Sequence, residues 1–108
     1  MNDFLSLSTL DDVPVGKMRE FNVAGESILV CHTSDGFFAV GNACPHRGGP
    51  LSEGVLSGTT VICPWHLWAF DLRSGCTKVN FVTKLRQHEV RVEAEMLQVR
   101  LAAVEDSL

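Results

Sequence analysis

The chain has 108 residues, 45% of them hydrophobic and 20% charged, with a formal net charge of −4 at pH 7. That length suffices for one domain, spanning 1–108, with a modest core that needs no disulfide staples, and the apolar fraction argues against disorder. The acidic balance argues against nucleic acid as a partner, because phosphate contacts need clustered Lys and Arg. Apolar runs such as Ile28-Leu29-Val30-Cys31 are far too short to span a membrane. The start, Met1-Asn2-Asp3-Phe4, has no basic region followed by an apolar one, so a cytoplasmic location with reduced thiols is expected.

In chain order, Asp3 to Leu7 reads as a first strand and Leu10 to Pro14 as a turn or single helical turn. Lys17 to Val23 is a second strand, closed by the hairpin turn Ala24-Gly25. Ser27 to His32 is apolar at successive positions, which predicts a strand covered on both faces. Ser34-Asp35-Gly36 turns the chain into Phe37 to Val40. Two hairpins and no long helical period set the class as all-β. Further on, Gly48-Gly49-Pro50 and Ser57-Gly58 bracket short strands at Val55-Leu56 and Thr60 to Ile62. Trp68 to Asp71 is a strand ended by the turn Arg73-Ser74-Gly75. Leu85 to Glu93 and Met96 to Leu101 form a final hairpin, with Leu97, Val99 and Leu101 inward and Gln98 and Arg100 outward. Ala102 to Leu108 reads as a frayed tail, and there is no repeat, linker or low-complexity segment.

The chemistry concentrates between Cys44 and His66. Cys44-Pro45-His46-Arg47-Gly48-Gly49 opens the stretch, Cys63-Pro64-Trp65-His66 closes it, and sixteen residues separate His46 from Cys63. Each half offers one thiolate and one imidazole, so two loops could grip a small metal centre from two sides. The bland reading is chance placement of four residues in loops. A structural zinc site is the rival, but zinc modules usually leave two to four residues between paired ligands, and Cys44 and His46 have one between them. Zinc also tends to staple domains that lack a core, and here there are strands enough to build one.

Cys-x-His followed at this distance by Cys-x-x-His resembles the Rieske iron–sulfur signature, in which two Cys hold one iron of a 2Fe–2S cluster and two His the other. The resemblance implies an antiparallel β-sandwich base with an inserted cluster-binding subdomain over about 42–75. It assigns Cys44 and Cys63 to the inner iron and His46 and His66 to the outer one. Pro45 and Pro64 then stiffen the loops, and Gly48 and Gly49 let backbone N–H groups approach the bridging sulfides. The flanking runs Cys44 to Gly54 and Cys63 to Asp71 look like the ferredoxins of multicomponent bacterial oxygenases, with His66-Leu67-Trp68 similar to those serving aromatic-ring monooxygenases. Such a carrier takes electrons from a flavin-containing NAD(P)H reductase and passes them to a terminal oxygenase. It is expected as a monomer that docks transiently through the cluster tip, where Pro45, Pro50, Leu51, Pro64, Trp65 and Leu67 supply an apolar collar and Arg47 a positive charge.

Departures exclude the respiratory branch of the family. Its extra loop cysteines are replaced here by Gly49 and Trp65, its Ser and Tyr hydroxyls to sulfur have no counterpart, and the chain contains no Tyr. Two other readings are carried forward: the small Rieske-like subunit of an assimilatory nitrite reductase, and an interaction module whose metal is only structural. No nucleophilic triad, phosphate loop or dinucleotide fingerprint suggests an independent enzyme. Cys31 and Cys76 are expected as small packed thiols, His32 and His88 as ordinary strand residues, and Trp68 as core.

Overall fold

The computed structural model describes residues 4–43, 50–64, 68–77 and 85–102. Nine strands are described: β1 Leu5–Thr9, β2 Met18–Val23, β3 Glu26–Thr33, β4 Gly36–Gly41, β5 Val55–Ser57, β6 Thr60–Ile62, β7 Ala69–Asp71, β8 Gln87–Glu93 and β9 Met96–Arg100. Single 3-10 turns follow at Leu10–Asp12, as the sequence suggested, and at Leu51–Glu53, which it did not. Every pairing between strands is antiparallel, in a six-stranded sheet of order β1-β9-β8-β4-β3-β2 and a three-stranded sheet of order β5-β6-β7. The all-β class is therefore observed, and the smaller sheet lies within the 42–75 stretch.

Strand β3 explains how the two sheets become one body. Ile28, Leu29, Val30 and Cys31 are all fully buried. Because successive side chains point to opposite faces, one strand must serve two cores. Ile28 and Val30 join Val13, Val23, Ala39, Leu97 and Val99 inside the base. Leu29 and Cys31 face the other way, with Val40, against Val61 and Phe70 of the small sheet and Leu51, Cys63, Leu72 and Leu85 of the connecting segments. Phe70 and Leu72 have no exposed area, and each such side chain stabilises the packing by roughly 1.5–3 kcal/mol relative to exposure.

The hairpin turns follow the sequence, with Ala24 at φ 51° and Gly25 at φ 82°, the left-handed pair that a tight two-residue β-turn needs. Some boundaries move. The first strand is Leu5–Thr9 rather than Asp3 to Leu7, because its register is set by β9, Leu5 opposite Val99 and Thr9 opposite Met96, across a bulge between Ser6 and Ser8. Leu85 lies before β8, where its N–H donates to Gly75 O at 2.7 Å. The tail does not fray at Ala102. Its N–H donates to His88 Nδ1 at 2.8 Å and its carbonyl accepts from Arg86 Nη2.

Candidate metal centre

Of the four expected ligands, Cys63 is described and Cys44, His46 and His66 lie outside the described residues, as do Arg47 and Trp65. Cys63 directly follows β6 and is fully buried in the core between the two sheets. Its N–H donates to Trp68 O at 2.8 Å, continuing the ladder in which Ile62 faces Ala69. The loop between Cys63 and Trp68 therefore springs from a closed neck.

The other ligand loop has a neck of the same kind. Ala43 and Pro50 form an isolated antiparallel bridge, and Leu51 N–H donates to Asn42 O at 2.9 Å. Immediately after this neck the chain makes its 3-10 turn and reaches Gly54, where the two loop bases meet. A side chain at Gly54 would overlap the Ile62 carbonyl oxygen, and its Cβ would stand 3.1 Å from the Ile62 carbonyl carbon and 3.2 Å from Leu51 O. Only a hydrogen fits there. Since Ile62 precedes Cys63, this contact fixes the foot of the first loop against the foot of the second.

The small sheet is in turn bound to the base. Gln87 Nε2 donates to both Leu72 O and Arg73 O at 3.1 Å. Arg73 pairs with Asp35 in the β3–β4 turn, an exposed contact of small energetic weight. Trp68 is half-buried and packs against the same core as Cys63, close to expectation.

These features test the fit to a two-iron centre. The donor set of two thiolates and two imidazoles suits such a cluster. The described thiol, Cys63, is fully buried in the core between the sheets, and Gly54 admits no Cβ against the Ile62 carbonyl. The residues fit.

The remaining thiols and imidazoles stand apart. Cys31 forms no disulfide, and burial pushes its pKa up to about 12, so it stays a neutral packed thiol. Cys76 is a half-buried thiol whose N–H donates to Ser74 Oγ at 3.1 Å. His32 is held by a hydrogen bond between Nδ1 and Val13 O at 2.7 Å and stacks on Phe37 at 3.8 Å. His88 is buried, and desolvation, aided by the Arg86 charge and opposed by Glu26, lowers its pKa from 6.5.

The comparisons agree on the domain family, and the proteins they find include oxygenase ferredoxins and a putative nitrite reductase small subunit from Mycobacterium tuberculosis, which superposes with a TM-score of 0.86 at 22% identity, covering 96% of this chain and 99% of the other. The Rieske [2Fe-2S] domain profile matches residues 4–100. Over 92 residues the chain is 36% identical to the ferredoxin component of biphenyl 2,3-dioxygenase from Rhodococcus jostii (strain RHA1), covering 78% of this chain and 86% of that protein. It is also 36% identical over 91 residues to human apoptosis-inducing factor 3, covering 82% of this chain but spanning only 15% of that longer protein. Among solved structures, one in a complex of reduced oxygenase and oxidized ferredoxin in carbazole 1,9a-dioxygenase superposes with a TM-score of 0.85 at 28% identity, covering 94% of this chain and 97% of the other.

Proposed function

The chain belongs to the Rieske [2Fe-2S] domain family and so binds one Rieske-type 2Fe–2S cluster, and from that premise we propose that it is the one-electron carrier of a multicomponent oxygenase system. Cys44, His46, Cys63 and His66 hold the cluster, which supplies a reversible one-electron couple. The protein's own part is positioning and insulation. Two closed loop necks present the ligands, Gly54 keeps the loop bases in contact, and the core behind Cys63 excludes water from the inner side. The observation that carries this reading is the buried Cys63 at the neck of a loop whose base touches the base of the other ligand loop.

The similarity to oxygenase ferredoxin components, over most of the length of each, supports a carrier rather than a catalyst. Its electron donor is a flavin-containing NAD(P)H reductase and its acceptor a terminal oxygenase, both met transiently by a monomer in the cytoplasm. Among the described residues, no helix is long and apolar enough to cross a membrane. Docking is assigned to the cluster tip, with Trp65 as aromatic anchor and Arg47 as rim charge.

Reconstitution with such a reductase and an oxygenase tests the proposal. NADH-dependent substrate turnover should require this chain, and Trp65→Ala should lower turnover while iron content and potential stay unchanged. Stable co-purification with a large flavin–sirohaem subunit would favour the nitrite reductase reading instead. A metal centre without reversible one-electron reduction would favour the interaction module.

A further inference from the structure

The structure assigns Asn42 as a positioning residue that clamps the first ligand loop to the rigid base and so governs how firmly the cluster is held. This rests on the cluster-binding reading above and adds to it a residue outside the ligand motif. Asn42 directly follows β4, is 5% exposed, and stands two positions before Cys44.

Every hydrogen-bonding group it uses joins the base to the loop. Towards the base, its backbone N–H donates to Ser27 O at 3.1 Å and its Nδ2 donates to Ser27 Oγ at 3.2 Å. Towards the loop exit, its backbone carbonyl accepts from Leu51 N–H and its Oδ1 from Ser52 N–H, both at 2.9 Å. The orientation of the side chain is forced, because Ser52 N–H can only donate and must face the amide oxygen. Ser27 Oγ–H is itself directed away, donating to Glu20 on β2, which leaves a lone pair for Asn42 Nδ2. An unbroken chain therefore runs from the edge strand through Ser27 and Asn42 to the exit of the loop that carries Cys44 and His46.

Residues of other types do not supply this. A Ser at 42 is too short to reach both partners, and an apolar residue leaves Ser52 N–H without its acceptor at a half-buried site. Once that bond is lost, the first turn after the neck can open independently of the base, and the ligand loop opens with it.

The experiment measures cluster release to a ferrous chelator, the spin-resonance spectrum of the reduced protein and the thermal midpoint, in the holoprotein and in Asn42→Ala, Asn42→Asp, Ser27→Ala and the double variant Ser27→Ala/Asn42→Ala. Loss of the clamp in Asn42→Ala should speed release about tenfold and broaden the spread of g values. Asn42→Asp keeps the acceptor for Ser52 N–H but loses the donor to Ser27 Oγ, which already donates to Glu20, so release should fall between those of Asn42→Ala and wild type. A merely structural role predicts the opposite order, since a carboxylate at a buried site is harder to accommodate than Ala. Ser27→Ala should speed release by a smaller factor and add nothing in the double variant, because Ser27 acts through Asn42. Release at the wild-type rate in Asn42→Ala, release faster in Asp than in Ala, or additive effects of the Ser27 and Asn42 changes would each overturn the assignment. If Asn42→Ala yields no folded holoprotein, Ser27→Ala decides by itself: release faster than wild type with a broadened spread of g values supports the assignment, and release at the wild-type rate overturns it. A wild-type protein with no Rieske spectrum would sink the cluster reading itself, which the variants cannot mimic.

Discussion

The contact at Gly54 is the most exacting piece of geometry near the centre, and Gly54→Ala tests it. The new methyl would overlap the Ile62 carbonyl oxygen and crowd the Ile62 carbonyl carbon and Leu51 O at 3.1 and 3.2 Å. All three neighbours are backbone atoms, so no side chain can rotate away. The strand β6 must move from β5, or the turn at Leu51–Glu53 must move from β6. Either displaces Cys63 relative to the first ligand loop. Overpacking of a closed interior typically costs about 1–3 kcal/mol, and backbone-on-backbone overlap places this change at or above the upper end. At roughly 4–8 °C per kcal/mol for a domain of about this size, about 3 kcal/mol lowers the melting midpoint by about 12–24 °C. Differential scanning calorimetry with parallel iron and sulfide analysis reads both consequences, and iron content should fall along with the midpoint. A Gly54→Ala protein that melts within about 2 °C of wild type and retains full iron would refute the claim that this contact joins the loops.

Other predictions concern the thiols and the buried imidazole. Cys63→Ser should abolish the cluster, because the hydroxyl does not replace a thiolate ligand, whereas Cys31→Ser should keep full iron while lowering stability by burying a hydroxyl among apolar neighbours. Iron analysis of the two purified variants checks both. His88 accepts from Ala102 N–H through Nδ1, so its buried tautomer carries the proton on Nε2, and protonating Nδ1 removes that acceptor. With the folded pKa below 6.5, the unfolded chain takes up the proton first. The contribution of neutral His88 is thus full above about pH 6.5 and is lost progressively as pH falls through the folded pKa. Chemical denaturation across this range should show a slope on the acid side that His88→Gln flattens; an unchanged slope would count against it.

What the sequence disclosed and what it did not have physical reasons. The apolar run Ile28 to Cys31 predicted coverage on both faces, and the structure supplies a separate core for each. The alternation at Leu97 and Val99 was equally direct, since period-two patterning is a local property. The family and its cofactor were legible because the motif that carries them depends on residue type and spacing. The residues that shape the site were not. Asn42, Gln87 and Gly54 received no role from the sequence. Their roles come from partners far along the chain: Ser27 and Ser52, Leu72 and Arg73, Ile62. Ala102 was misjudged for the same reason, its order being imposed by His88 and Arg86 rather than by its own sequence.

The central claim is a 2Fe–2S cluster with two histidine ligands, and electron paramagnetic resonance of the reduced wild-type protein addresses it most directly. The account predicts a Rieske spectrum, with an average g below that of an all-cysteine cluster and nitrogen couplings from two imidazoles that shift on 15N-histidine labelling. Titrated against potential, the signal should give a pH-independent midpoint at pH 7 in the lower third of the range of about −150 to +300 mV, since the hydroxyl donors to sulfur found in the respiratory branch are missing from the sequence. An all-cysteine spectrum without nitrogen couplings, or a spin-silent protein that contains zinc, would contradict the account.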